Sequence, residues 1–310
     1  MNKNSLIYVA GHTGLIGSAI VRKLLKAGYK NLILKSHREL DLTNQKKTEA
    51  FFRKNKPEYL FLAAAKVGGI FANDTYPADF IYQNIMIQTN IIDTSYKYGV
   101  RKLLNLGSAC IYPKYCKQPI KEESLLTGSI EPTNEPYAVA KIAGIKLCQS
   151  YNRQFGTNFI SVIPANVYGI NDYFDKGGHV VAGLIKKFYE AKIKGYDSVT
   201  VWGTGKPRRE FLYVDDLADA CIFLMKKYSG NEAINVGRGR DTSIADLARI
   251  LKKIAEFKGK IIFDTSKPDG MPQRLLDSGK ITALGWRAKT DIEKGLRITY
   301  EWYKKSIAGK

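Results

Sequence analysis

A doubly wound α/β fold, a parallel sheet with helices on both faces, is the architecture this sequence predicts. Three observations point to it. Short apolar runs alternate with helix-like segments, a glycine-rich turn follows the first run directly, and the composition can fill a large core. Of 310 residues, 45% are hydrophobic and 25% charged, which is too apolar for a disordered chain. The length suits two lobes.

Leu6–Ala10 reads as the first strand. Leu15, Ile16, Ala19, Ile20, Leu24 and Ala27 then recur at helical spacing, and Gly28 closes that helix. Leu32–Leu34, Tyr59–Ala64, Leu103–Gly107 and Phe159–Ile163 are further apolar runs, each separated by room for a helix. They are continuous rather than alternating, so both faces of each strand are expected to be buried. After Pro164 the rhythm changes: Gly169–Gly178, Lys192–Tyr196 and Gly203–Pro207 read as loops. Thr242–Phe257 reads as an amphipathic helix capped by Thr242 or Ser243. The expected division is a dinucleotide-binding lobe of residues 1–164 with about 211–235 returning to it, and a smaller lobe of residues 165–210 and 236–310.

Composition excludes several classes. The apolar run behind Met1 is too short for a signal peptide, and no stretch approaches the ~18–20 residues of a membrane span. A cytoplasmic location without membrane attachment is the expectation. Cys110, Cys116, Cys148 and Cys221 form no CxxC pair, and with three histidines they offer no metal-ligand spacing, so no metal is expected. The net charge of +20 favours anionic partners, either nucleic acid or small molecules carrying phosphates.

Gly11-His12-Thr13-Gly14-Leu15-Ile16-Gly17 is a GxxGxxG turn between a strand and a helix. Gly11 permits the tight turn, Gly14 lets backbone approach a pyrophosphate, and Gly17 allows close helix–strand packing. Thr13, Leu15 and Ile16 belong to the same cradle, and backbone N–H groups at the helix start hold the anion. Beyond the second strand, Lys35 and Arg38 stand where an NAD site usually carries an acid, which favours the 2′-phosphate of NADP(H). Asp41 either contacts the adenine side or caps the following helix.

YxxxK occurs three times, at Tyr98/Lys102, Tyr137/Lys141 and Tyr300/Lys304. Context selects the second. Tyr98 precedes the helix-ending Gly99, and Tyr300 has no glycine loop or serine nearby. Tyr137 follows Pro136, a helix-start residue, and i, i+4 spacing puts Tyr137 and Lys141 on one helix face. An ammonium beside a phenol stabilises phenolate, so Lys141 is expected to lower the pKa of Tyr137. Ser108 follows an apolar strand, at the end where α/β sheets bind ligands. Ser108, Tyr137 and Lys141 together suit hydride transfer to a carbonyl.

The order GxxGxxG, Ser, YxxxK resembles that of the extended short-chain dehydrogenases/reductases. More narrowly, the strings AAAKVGGI (from Ala63), GSACIYPK (from Gly107), EPTNEPYAVAKIAGIK (from Glu131), VWGTGKPRREFLYVDD (from Val201) and KPDG (from Lys267) are similar to those of the GDP-L-fucose synthase family. The resemblance implies NADPH-dependent 3,5-epimerisation and 4-reduction of a GDP-4-keto-6-deoxy sugar, and a homodimer built on the helices near Pro77–Tyr98 and Tyr137–Gln154. It implies Cys110 as base and His179 as acid, whose ordinary pKa values let both exchange protons near neutrality. It also implies a substrate site of Asn166, Lys187, Trp202, Arg209 and Asp269, with no nucleic-acid partner. Read without the resemblance, Cys110 is a buried small residue, His179 a loop residue, and Trp202 either a stacking platform or a core residue. Thr13 and His37 depart from the arginines of some relatives. Related dehydratases carry Thr-Asp-Glu where this chain has Ser108-Ala109-Cys110, and the missing acids argue against elimination.

Overall fold

The computed structural model describes residues 1–175, 178–267 and 269–308. Lys176, Gly177 and Pro268, which belong to the strings noted above, lie outside the described residues. Strands β1 (Ile7–Ala10), β2 (Leu32–Ile33), β3 (Tyr59–Leu62), β4 (Lys102–Leu106) and β5 (Phe159–Pro164) open the chain. Helices α1 (Leu15–Lys26), α2 (Gln45–Asn55), α3 (Ile70–Thr75), α4 (Pro77–Lys97) and α5 (Glu135–Phe155) connect them. A second group follows: β6 (Asn166–Tyr168), α6 (Val180–Lys194), β7 (Ser198–Trp202), β8 (Arg208–Tyr213) and α7 (Val214–Lys227). The chain continues with β9 (Ile234–Val236), β10 (Asp241–Ser243), α8 (Ile244–Ala255), β11 (Lys260–Asp264), β12 (Gln273–Arg274), α9 (Gly279–Ala283) and α10 (Ile292–Ala308).

Six parallel strands form the main sheet in the order β2-β1-β3-β4-β5-β9. The winding reverses between β1 and β3, which places a crevice at the carboxyl ends of the strands. Pleating explains the continuous apolar runs. Ile7, Val9, Phe61 and Leu104 enter one core with Ile20 and Leu24 of α1 and Leu217 of α7. Tyr8, Ala10, Leu60, Leu62 and Leu103 enter another with Phe52 of α2 and Ile91 of α4. Successive residues therefore face different helix layers, and neither face can be polar.

The second group builds a smaller sheet, β10-β8-β12 with β6 also on β8, and a β11-β7 pair. Residues 211–213 thus lie in β8 of this sheet, whereas α7 and β9 pack with the main one. Two local expectations shift. The second strand stops at Ile33, and Lys192–Lys194 continue α6 rather than forming a loop. Gly195, at φ 67°, ends that helix one residue later, and Lys192 and Lys194 suit the negative end of its dipole. Ser243 caps α8 by accepting from Asp246 N at 3.0 Å, while Thr242 belongs to β10.

Candidate active site

The glycine turn has little freedom to be anything else. Gly11 sits at φ 80°, and a Cβ there would lie 2.6 Å from Ala64 N. A Cβ on Gly17 would stand 2.1 Å from Gly11 O, so helix α1 approaches β1 more closely than any side chain allows. Helix α1 starts at Gly14 with no side-chain cap and no acid in its first turn. Its positive end is uncompensated, and His12 Nδ1 is buried without a partner beside it. Uncapped N–H groups and an orphaned polar atom are what a site for a dinucleotide pyrophosphate requires, and the cradle fits that group.

Lys35 and Glu39 form an ion pair at 2.9 Å, and that contact with Lys35 is the main reason the Glu39 carboxyl is held down to about 2. Arg38 is exposed and makes no ion pair among the described residues. Asp41 does not take the helix-capping role: its Oδ1 accepts from Thr43 N (3.0 Å) and Oγ1 (2.7 Å), and Asn44 caps α2 instead. The spacing to the helix start decides this, because a capping oxygen must reach the third residue onward.

At the carboxyl end of β4, Ser108 is a hub. Its Oγ accepts from Cys110 N (3.4 Å) and Cys110 Sγ (3.2 Å), and it is hydrogen-bonded to the Tyr137 hydroxyl. One turn along α5, Lys141 is only 3% exposed and donates from Nζ to Leu106 O at 2.9 Å. Its Nζ lies 5.8 Å from the Tyr137 ring centre. Phe80 of α4 meets the same ring edge-on at 6.2 Å.

The expected acidification of Tyr137 is corrected here. Burial raises the phenol far above its ordinary pKa, the nearby Cys110 adds to this, and only the Ser108 bond opposes it. Burial likewise pushes Lys141 down to about 8. Desolvation dominates both shifts because both groups are removed from water together. At neutral pH this makes Tyr137 a protonated donor. Burial also raises Cys110, while Arg274 and Lys141 lower it.

Arg274 escaped the sequence reading. It lies on β12 in register with Arg209 of β8, its pKa is lowered by burial, and its Nε is buried without a partner. Its only sequence signal is its place four residues after Gly270. Arg209 donates to Arg208 O at 2.8 Å, and burial, with Arg274 opposite, pushes it down to about 10. Two guanidinium groups crowded together in this way suit an anionic group. Trp202 ends β7 with 63% of its surface exposed, so it is not a core residue. Lys187 Nζ at 5.7 Å and Lys267 Nζ at 5.9 Å flank its ring.

Asp269 spends both carboxylate oxygens on Thr204, accepting from its N and Oγ1 at 2.7 Å, and so holds the Gly203–Gly205 turn behind Trp202. Asn166 is half-buried on β6, next to β8, and its amide makes no hydrogen bond among the described residues. His179 is exposed at the N-terminus of α6, and the protein around its ring lowers its pKa. It makes no hydrogen bond to Ser108, Cys110 or Tyr137. Among the described residues no cluster of His, Cys, Asp or Glu suits a metal ion, and no helix is long and apolar enough to cross a membrane.

Residues 7–237 match the NAD dependent epimerase/dehydratase family. GDP-L-fucose synthase 1 of Arabidopsis thaliana is 56% identical over the whole chain and 96% of its own length. A GDP-L-fucose synthetase of Naegleria fowleri, solved bound to NADP, superposes with a TM-score of 0.93 at 30% identity, covering 99% of this chain and 96% of that one. The GDP-mannoheptose C4 reductase MlghC of Campylobacter jejuni, also solved with NADP, gives 0.91 at 43% identity, covering 98% and 99%. On these matches, the chain belongs to the NAD dependent epimerase/dehydratase family and, within it, to the GDP-L-fucose synthases.

Proposed function

We propose that this protein converts GDP-4-keto-6-deoxy-D-mannose to GDP-L-fucose, epimerising C3 and C5 and then reducing C4 with NADPH. The observation that carries the reading is the Ser108 hub, which joins a reductase tyrosine and a thiol at one spot. The Gly11–Gly17 turn with the start of α1 would hold the pyrophosphate, Arg38 and Lys35 the 2′-phosphate, and Lys141 the nicotinamide ribose. When bound, NADPH supplies the hydride for C4.

The chain's own residues do the rest. Ser108 and Tyr137 orient the C4 oxygen, and Tyr137, a neutral phenol, gives it a proton as negative charge develops there. Cys110 removes the protons of C3 and C5, which the adjacent ketone acidifies, and Arg274 and Lys141 favour the thiolate this needs. His179 returns protons from the opposite side of the ring. Trp202 stacks on guanine, and Arg209, Arg274 and Lys187 hold the diphosphate. Asn166 points to the sugar by its free amide.

The +20 charge then serves anionic cofactor and substrate rather than nucleic acid. The outer faces of α4 and α5 support a homodimer. They expose Tyr82 and Val139, and a Tyr96–Phe155 stack at 4.2 Å. The nucleotide-sugar substrate and the dinucleotide cofactor are consistent with work in the cytoplasm. The likeness to MlghC favours a second reading, reduction of a GDP-4-keto heptose.

Separate incubations of GDP-4-keto-6-deoxymannose and of a GDP-4-keto heptose with NADPH in deuterated water, read by NMR, test both. Formation of GDP-L-fucose carrying deuterium at C3 and C5 is expected. A C4-reduced, unepimerised sugar, or turnover of the heptose alone, overturns the reading.

A further inference from the structure

Between β6 and α6 the chain passes over the glycine turn before it reaches His179. Asn171 sits there at φ 72°, a left-handed conformation that few residues other than glycine and asparagine adopt. Its Nδ2 donates to Thr13 O at 2.7 Å and reaches Ser18 Oγ at 3.4 Å. Thr13 belongs to the dinucleotide turn. Ser18, in the first turns of α1, also accepts from Arg22 Nη1 at 3.2 Å, and Arg22 pairs with Asp215 at 2.9 Å. The amide is therefore seated on a braced part of the cradle.

From Asn171 further contacts order the described residues that lead to His179. Asp172 Oδ1 accepts from Tyr173 N at 2.8 Å. Phe174 packs on Tyr303 of α10, ring centres 4.5 Å apart. Gly178 N donates to Asp175 O at 3.0 Å, and a Cβ on Gly178 would lie 2.3 Å from Tyr173 O. Backbone thus rests directly on backbone at the residue before His179, which opens α6 through Gly183 N to His179 O at 2.9 Å. A second cost sits in the same segment: Asp172 Oδ2 is buried without a partner, and burial pushes that carboxyl up to about 7. A left-handed asparagine and an acid with one buried oxygen unpaired, side by side, persist only where the surroundings over-determine them.

We propose that Asn171 is a positioning residue that ties the dinucleotide turn to the segment bearing His179, so that a bound dinucleotide steadies the group that returns protons to the sugar. This rests on the epimerase–reductase reading for the role of His179, but the coupling itself needs no substrate. A ligand that stiffens the Gly11–Gly17 turn fixes Thr13 O, and Asn171 carries that constraint along a contiguous set of contacts.

Hydrogen–deuterium exchange of the full chain, with and without NADP⁺, tests it. In the wild type NADP⁺ should slow exchange both in residues 7–20 and in residues 169–185, the latter about fivefold, the effect of one neutral hydrogen bond of about 1 kcal/mol. Asn171→Gly fits φ 72° without strain and removes only the amide. It should keep the protection of residues 7–20 and lose that of residues 169–185. Asn171→Asp retains the turn preference, sets a carboxylate against Thr13 O, and should lose it too; it serves where the glycine variant does not fold. With the substrate added, NADP⁺, which cannot reduce it, should speed C3/C5 deuterium exchange in the wild type more than in either variant. Protection of residues 169–185 that is absent in the wild type, or equal in wild type and variants, overturns the proposal. Wild-type exchange at C3 and C5 without coupling would leave the reaction standing and the proposal refuted. Coupling without any exchange at C3 and C5 would uphold the tie and refute the epimerase reading.

Discussion

Helices α5 and α10 carry the same pair in the same geometry. Tyr137/Lys141 and Tyr300/Lys304 are each spaced i, i+4, and in each the ammonium lies 5.8 Å from the ring centre. Only their company differs. Lys304 is half-exposed and pairs with Glu301, and Tyr300 packs in the core edge-on against Tyr189. Lys141 is buried, held by Leu106 O, and faces Tyr137, Ser108 and Cys110. The third pair separates burial from chemistry. Lys102 is 5% exposed and, like Lys141, is pushed down to about 8 by burial, yet its Nζ only serves the carbonyls of Leu224 and Tyr228 at the end of α7. Lys102 and Lys141 stand at opposite ends of β4. A perturbed lysine therefore marks a reactive site only where titratable neighbours share it.

That contrast can be broken most forcefully at Tyr137. Tyr137→Phe should cut C4 reduction by about 10²–10⁴-fold while NADPH affinity, measured by fluorescence titration, stays within about twofold. Retained turnover would put the tyrosine on a level with Tyr300. Next, kcat/KM of the wild type should fall above about pH 8 as Lys141 loses its proton. Lys141→Met should lower the plateau and abolish that limb, whereas Lys304→Met should change neither. Cys110→Ser should reduce C3/C5 deuterium exchange by at least tenfold.

The Lys102 end predicts a stability effect alone. A lysine whose proton is bound less tightly folded than unfolded adds stability as pH rises from about 8 towards 10.5. Lys102→Met should remove about 1–3 kcal/mol of that rise in urea titrations at pH 8 and 10, leaving the pH–rate profile intact. The smallest effect concerns the cofactor's 2′-phosphate. Arg38→Ala should weaken NADPH against NADH by about three- to tenfold, and Lys35→Ala by less, since Glu39 already engages that charge.

Much of the site was legible beforehand because it is local. The glycine turn, the cap of α8 and the Tyr137–Lys141 spacing all lie within one turn or one helix of sequence. Their meaning follows from backbone sterics and the 3.6-residue period. Other features were not. Arg274 reaches the Ser108–Cys110 turn only because a two-residue strand pairs with β8. Asn171 meets Thr13 across 158 positions of sequence. Spacing alone gives the Tyr137 shift the wrong sign, since it shows the cation but not the loss of water.

Periodicity, glycine placement and three candidate tyrosines are properties of the chain order, and they settled the layered α/β class and the chemistry to look for. Which buried lysine is merely structural, and which arginines crowd together, were settled by folding. Dielectric surroundings and long-range proximity exist only once β4, β8 and β12 have brought distant segments together and excluded water between them.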